Sequence, residues 1–297
     1  MSPAAAATHI DEALLRTWPL PSAEGSQSKE DRGRVLVIAG SPYVPGAALL
    51  AGEASLRAGA GKLALAVPQE VALALSVALP EAKVLPLPTT AGGACTSTAA
   101  MEHTAARADA ILIGPGMDDM PALQTMVKRL SASVDCSPVV DAGAIASFRR
   151  GHAFTHVPIL TPHAGEMASL IDVDIEQVQS RAPEIALQFA TNFNVLLVLK
   201  GPITWISAPN GRLWVHRGGC KGLGTSGSGD VLAGLIAGLV ARGAPPEQAA
   251  AWGVWLHGRA GELRSAQIGS VGFFARELAE MVPALMDQLA APPAVGP

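Results

Sequence analysis

The chain has 297 residues, of which 49% are hydrophobic, 15% charged and only 4% aromatic. That length allows one large domain or two modest ones, and the apolar share supplies a large core and excludes wholesale disorder. A net charge of −4, from 21 Lys and Arg against 25 Asp and Glu with no basic run, argues against nucleic acid and leaves an anionic ligand to backbone amides and helix dipoles.

Residues 1–33 hold a short amphipathic piece (Ile10, Ala13, Leu14) and a polar stretch from Pro21 to Arg32, and read as a surface tail. Ala4 to Ala7 lack the basic segment and long apolar run of a signal peptide. A single domain is expected over 34–290, because no composition break divides it. Within it, continuous apolar β-type runs lie at Val35–Ala39, Leu63–Val67, Ala110–Ile113, Pro138–Val140, Ile159–Leu160 and Val195–Leu199. Continuous runs mark strands covered on both faces. Helical patterns fall between them at Ala47–Ala58, Glu70–Leu79, Thr98–Arg107, Pro121–Val134 and Ile175–Asn192. This alternation predicts a mostly parallel sheet between two helical layers. Thr204–Ser207 and Arg212–His216 flank Pro209-Asn210-Gly211, a hairpin signal that adds an antiparallel edge. Three helices follow, over 230–242, 246–264 and about 273–290, and a flexible tail is expected at 291–297. No apolar stretch reaches eighteen residues, so a soluble protein with no membrane partner is expected. Cys95, Cys136 and Cys220 fit neither a disulfide framework nor a zinc spacing, which points to the cytoplasm.

The strongest chemical signal is Gly222-Leu-Gly-Thr-Ser-Gly-Ser-Gly-Asp230, with four glycines and three hydroxyl residues before an apolar helix. Backbone amides of such a loop converge on phosphate oxygens, and the helix aims its positive end at the same place. A carboxylate there repels phosphate, so Asp230 is out of place as an anion ligand but fits as a base that takes a proton from a reacting hydroxyl. Serving only as an N-cap is the plainer role for Asp230, but a cap does not require four glycines before it. Ala58-Gly-Ala-Gly-Lys62 is not a Walker A loop, because Leu56 and Leu63 stand where its Gly and Ser or Thr belong. Gly114-Pro115-Gly116 lacks the third glycine of a dinucleotide fingerprint and reads as a turn at a strand's C-terminal end, where ligands of open sheets bind. Lys200 ends a buried run, within reach of a phosphate, and Gly201 lets a ligand approach the backbone. In Thr161-Pro-His-Ala-Gly-Glu166, Glu166 fits a capping arrangement better than a metal site, since H-x-x-E has no further ligands nearby. His152 and His156 are paired by chance, and His257 reads as a packed core residue.

In this order the pieces resemble the ADP/ATP-dependent NAD(P)H-hydrate dehydratases, a branch of the ribokinase-like superfamily, over residues 29–290. The matching segments are Gly33 to Ser41, Gly46 to Leu50, Leu56 to Gly61, Gly114 to Gly116, Val140 to Ala142, Leu160 to Glu166, Leu199 to Gly201 with Thr204, and Gly222 to Gly234. The resemblance implies a ribokinase-like three-layer α/β/α sandwich whose activity restores NADH or NADPH from the hydrated coenzymes NADHX and NADPHX. It implies ADP or ATP as co-substrate with Mg2+, ADP being the choice for a bacterial-type chain, and no protein metal site. Asp230 would be the base. Lys200, Gly201, Pro202, Ile203, Thr204, Gly227 and Gly229 would contact the nucleotide, and Ala47, Gly116, His163 and Asp230 the hydrated coenzyme. The family also implies a homo-oligomer, usually a tetramer, and an NAD(P)HX epimerase on a separate chain, since residues 1–33 leave no room for one.

Three departures stand out. Ser226 and Ser228 replace Gly and Thr of the usual Thr-Gly-Gly-Thr-Gly-Asp, and Ser226 fits only where the backbone does not need a positive φ. Gly143 replaces the second carboxylate of Asp-Ala-Asp-Ala-Leu, and Cys220-Lys221 replaces the usual Asn before the loop, adding a positive charge. A kinase of the hydroxyethylthiazole or hydroxymethylpyrimidine type is the alternative with the same loop and Asp230. The segment from Thr161 to Glu166 and the Lys200-to-Thr204 spacing favour the dehydratase, and the presence of Asp230 weighs against a non-catalytic nucleotide-binding regulator.

Overall fold

A computed structural model describes residues 7–21, 28–150 and 154–290, so the tail at 291–297 and His152 lie outside the described residues. The described strands form one sheet of ten: β1 Thr8–His9, β2 Arg34–Ile38, β3 Lys62–Pro68, β4 Ala82–Leu87, β5 Ala110–Ile113, β6 Val139–Val140, β7 Ile159–Leu160, β8 Leu196–Leu199, β9 Thr204–Ser207 and β10 Leu213–His216. Their spatial order is β1-β10-β9-β8-β7-β6-β5-β2-β3-β4, and the strands from β8 to β4 are all parallel. The helices are α1 Glu12–Thr17, α2 Gly46–Arg57, α3 Ala72–Ala78, α4 Ala99–Ala105, α5 Pro121–Ser131, α6 Ala164–Ile171, α7 Ile175–Ser180, α8 Ala182–Phe193, α9 Ser228–Ala241, α10 Pro246–Gln267 and α11 Arg276–Ala290.

Burial on both faces explains the continuous apolar runs. Along β2, Val35 and Val37 join a core with residues of α2, α9, α10 and α11, while Leu36 and Ile38 join a second with residues of α4, α5, α6 and α8. The expected three-layer, mostly parallel α/β/α sandwich is therefore what forms. The long apolar helix α9 is seated on α2 through small residues. Gly238 brings it so near that a Cβ would lie 2.8 Å from the Ala58 Cβ, and the Ser55 hydroxyl donates to the Gly234 carbonyl at 3.0 Å. This contact fixes where the first turn of α9 stands.

The structure differs from the sequence reading at four places. Residues 8–18 belong to the packed body: β1 lies parallel to β10, Ile10 and Leu15 are buried, and Trp18 stacks on Trp214 with ring centroids 6.2 Å apart. The hairpin β9–β10 therefore lies inside β1 and is not the sheet's edge. The helix expected over Ile175–Asn192 is broken at Arg181, because Pro183 opens a new first turn and has no N–H to continue the old one. Strand β4 has no continuous apolar run to mark it, because it is an edge strand with an alternating burial pattern that carries Lys83 and Pro86. Among the described residues, no helix is long and apolar enough to cross a membrane.

Candidate active site

The parallel strands end together on one side of the sheet, and their first loop residues build the site. Asp141 follows β6, Thr161 follows β7 and Lys200 follows β8. The Lys200 ammonium donates to Asp141 Oδ1 at 3.0 Å, and the Thr161 hydroxyl donates to the same oxygen at 2.6 Å. Glu166 Oε2 lies 3.9 Å from the ammonium. Burial pulls the Lys200 pKa down, but the charges of Asp141 and Glu166 outweigh it and leave it raised, so this lysine stays charged. The capping role expected of Glu166 is observed: it accepts from the His163 N–H at 2.8 Å, while His163 Nδ1 accepts from the Gly165 and Glu166 N–H groups. His163 opens α6 in this way and stands beside Lys200 across a parallel bridge.

The glycine-rich loop delivers Asp230 to the same place. A single 3-10 turn at Lys221–Leu223 leads into the loop, and Gly227, with φ +86°, turns the chain into α9. Ser226 has no positive φ, so its replacement of glycine meets the condition set by the sequence. The left-handed position belongs to Gly227, where a side chain would also overlap Leu50. Asp230 sits in the first turn of α9 and is half-buried. Burial, reinforced by the charges of Asp141 and Glu166 and opposed by Lys200, pushes its carboxyl up to about 6. A carboxylate in that range is ionised at neutral pH yet basic enough to take a proton.

A cavity of about 760 Å³ opens beside the loop. It brings together Lys200, Gly201, Pro202, Thr204, Gly229 and His163, with Leu232 and Val254 as apolar wall. Ile203 is 36% exposed and, like Gly227, Asp230, Ala47 and Gly116, lies outside this lining. Ala47 and Gly116 instead meet each other on the α2 side, where a Cβ on Gly116 would lie 2.6 Å from that of Ala47. Ala47 is only 2% exposed, so it closes the turn and presents little surface of its own. Asp230 Oδ2 lies 3.8 Å from where a Cβ on Gly227 would stand, a point that Leu50 of α2 also crowds. Asp230 and the Ala47–Gly116 pair thus stand outside the cavity lining, whereas His163 belongs to it.

Other residues were less legible. Asp141 matches a family segment, but no local pattern marks it as the partner of Lys200. His257 is not a purely apolar core residue, because its ring hydrogen-bonds Ser228 in the first turn of α9. At Gly143 the loop 117–119 packs so closely that a Cβ would lie 2.6 Å from the Asp118 carbonyl carbon, which accounts for the missing carboxylate. Lys221 lines the cavity, which places the added positive charge there. Among the described residues, no group of three or more His, Cys, Asp or Glu is arranged to hold a metal ion.

Residues 35–284 match the family model described as NAD(P)H-hydrate dehydratase. The chain is 46% identical over 284 residues to the ADP-dependent (S)-NAD(P)H-hydrate dehydratase of Xanthomonas campestris pv. campestris, covering 94% of this chain and 96% of that one. The ADP/ATP-dependent NAD(P)H-hydrate dehydratase of Bacillus subtilis, co-crystallized with ATP/Mg2+, superposes with a TM-score of 0.83 at 30% identity, over 95% of this chain and 99% of that one. A ribokinase-like superfamily protein of Enterococcus faecalis superposes at 0.84 and 27% identity, over 97% and 98% of the two chains, in keeping with the ribokinase-like sandwich. By sequence and by fold, the chain belongs to the NAD(P)H-hydrate dehydratase family.

Proposed function

We infer that this protein removes water from the hydrated nicotinamide ring of (S)-NADHX or NADPHX, restoring NADH or NADPH at the expense of ADP or ATP. The observation that carries the reading is Asp230, raised to about 6, at the mouth of a helix N-terminus built to receive phosphate. The nucleotide occupies the cavity, with Lys200, Gly201, Pro202, Thr204 and Gly229 around it and Ile203 and Gly227 framing the approach. Its phosphates meet the first-turn amides of α9 and the Lys200 ammonium, and Mg2+ enters as their counter-ion. The hydrated ring takes the other side of the loop, beside Gly116 and the start of α2, with His163 at the boundary.

Asp230 then removes the hydroxyl proton as that oxygen bonds to the terminal phosphorus, and the bond from phosphorus to the nucleotide's bridging oxygen breaks. The ring carbon–oxygen bond next breaks with phosphate as leaving group, and loss of a neighbouring ring proton restores the double bond. With ADP the products are AMP, phosphate and the reduced coenzyme. Stereospecific use of the (S) hydrate calls for an epimerase partner to supply it from the other epimer. We read the protein as a cytoplasmic homo-oligomer, a tetramer by family, to be checked by sedimentation. Chemically hydrated NADH with ADP and Mg2+ should regain the absorbance of the reduced ring when the protein is added. Phosphorylation of a thiazole or pyrimidine alcohol without that recovery overturns the reading in favour of a small-molecule kinase.

A further inference from the structure

Helix α10 places His257 against the first turn of α9. Its Nε2 lies 2.9 Å from the Ser228 hydroxyl oxygen and 3.0 Å from the Ser228 carbonyl oxygen. A carbonyl oxygen only accepts, so Nε2 must carry the ring hydrogen and donate to it. The hydroxyl oxygen, on the same N–H, is then an acceptor too and keeps its own hydrogen. That hydrogen meets no acceptor among the described residues, although Ser228 is only 5% exposed. Both residues line the cavity. Burial, chiefly, pulls the His257 ring down to about 4, so it is neutral at working pH and its tautomer is set by Ser228.

We propose that His257 is a positioning residue that leaves the Ser228 hydroxyl hydrogen free to be donated to a phosphate oxygen of the bound nucleotide. The proposal rests on reading the cavity as the nucleotide site. It adds to the loop a side-chain donor, oriented from behind, next to the amides of Gly229 and Asp230. Hydrogen bonds to charged groups are the stronger ones, so losing this one should weaken ADP binding by about tenfold. Adenosine, which has no phosphate, should not register the loss.

The test measures ADP and adenosine affinity by calorimetry for the wild type, S228A, H257F, H257Q and H257F/S228A. S228A and H257F should each weaken ADP about tenfold and adenosine less than about twofold, and the double variant should be no worse than either. H257Q, whose amide N–H can stand near the position of Nε2, should regain most of the loss. ADP affinity unchanged in S228A, or weakened equally with adenosine in H257F, overturns the proposal. Should H257F fail to fold, H257L takes its place, with the same expected and overturning results. A wild type that binds no ADP removes the nucleotide reading itself, whereas tight wild-type binding with unaffected variants removes the roles of Ser228 and His257 and leaves that reading standing.

Discussion

The Lys200 ammonium and the Asp141 carboxylate, 3.0 Å apart, form a nearly dry ion pair across the ends of β6 and β8, the two strands that flank β7. Their side chains are 17% and 3% exposed, and Thr161 donates to the same carboxylate oxygen. Removing one member of such a pair leaves a buried charge, whereas removing both leaves none. Asp141→Ala should therefore cost about 3 kcal/mol of stability in urea denaturation, and K200M/D141N should cost less than the sum of its two single changes. Strict additivity would show that the two groups do not interact.

The loop makes a sharp contrast between neighbours. Gly227 has φ +86° and no space for a side chain against Leu50, while Ser226 has no positive φ. Gly227→Ala should lower stability by at least about 1–2 kcal/mol and weaken activity with it. Ser226→Gly should change stability by about 1 kcal/mol or less. Thermal melting of the two variants checks the order, and equal effects would contradict the geometry.

Restoring the family's carboxylate should harm this chain. At Gly143 a side chain has no room beneath the loop 117–119, whose Met117 carbonyl also accepts the Gly143 N–H. Gly143→Asp should cost about 2 kcal/mol or more, or displace that loop, as read by melting and proteolysis. A stable and more active variant would show that the missing carboxylate is a functional loss and not a packing requirement.

These contrasts also show what the sequence made legible. The strand–helix alternation, the hairpin at Asn210-Gly211 and the glycine loop ending in Asp230 are local patterns, and all were readable in the chain. Long-range pairing was not: Lys200 and Asp141 are 59 residues apart, and Ser228 and His257 are 29 apart. Nor did periodicity reveal the N-terminal strand. Only two residues pair in β1, and the segment is held by contacts such as Ile10 N–H to the Val215 carbonyl at 2.9 Å and the Trp18–Trp214 stack. Fold class is thus written in burial patterns, whereas the partners that tune the site emerge only when the strand ends meet.

The raised Asp230 carboxyl has consequences of definite sign. Its folded value of about 6 exceeds the ordinary 3.8, so the folded state holds this proton more tightly. The resulting stability is full below the ordinary value and is lost as pH rises through about 6. Asp230→Asn, which has no proton to lose, should melt a few degrees above the wild type at pH 8, with the gap closing toward pH 4. For catalysis the base must be ionised, so kcat/KM should fall as pH drops below about 6. A profile flat through that range would remove the carboxyl from the rate-determining chemistry.

The assignment of Asp230 as the base is tested most directly by the turnover of Asp230→Asn with hydrated NADH, ADP and Mg2+, measured beside its ADP affinity. The expected result is a rate at least about a thousandfold below the wild type, with ADP binding within a few-fold. A variant that keeps more than about a tenth of wild-type turnover while binding ADP normally would contradict the assignment.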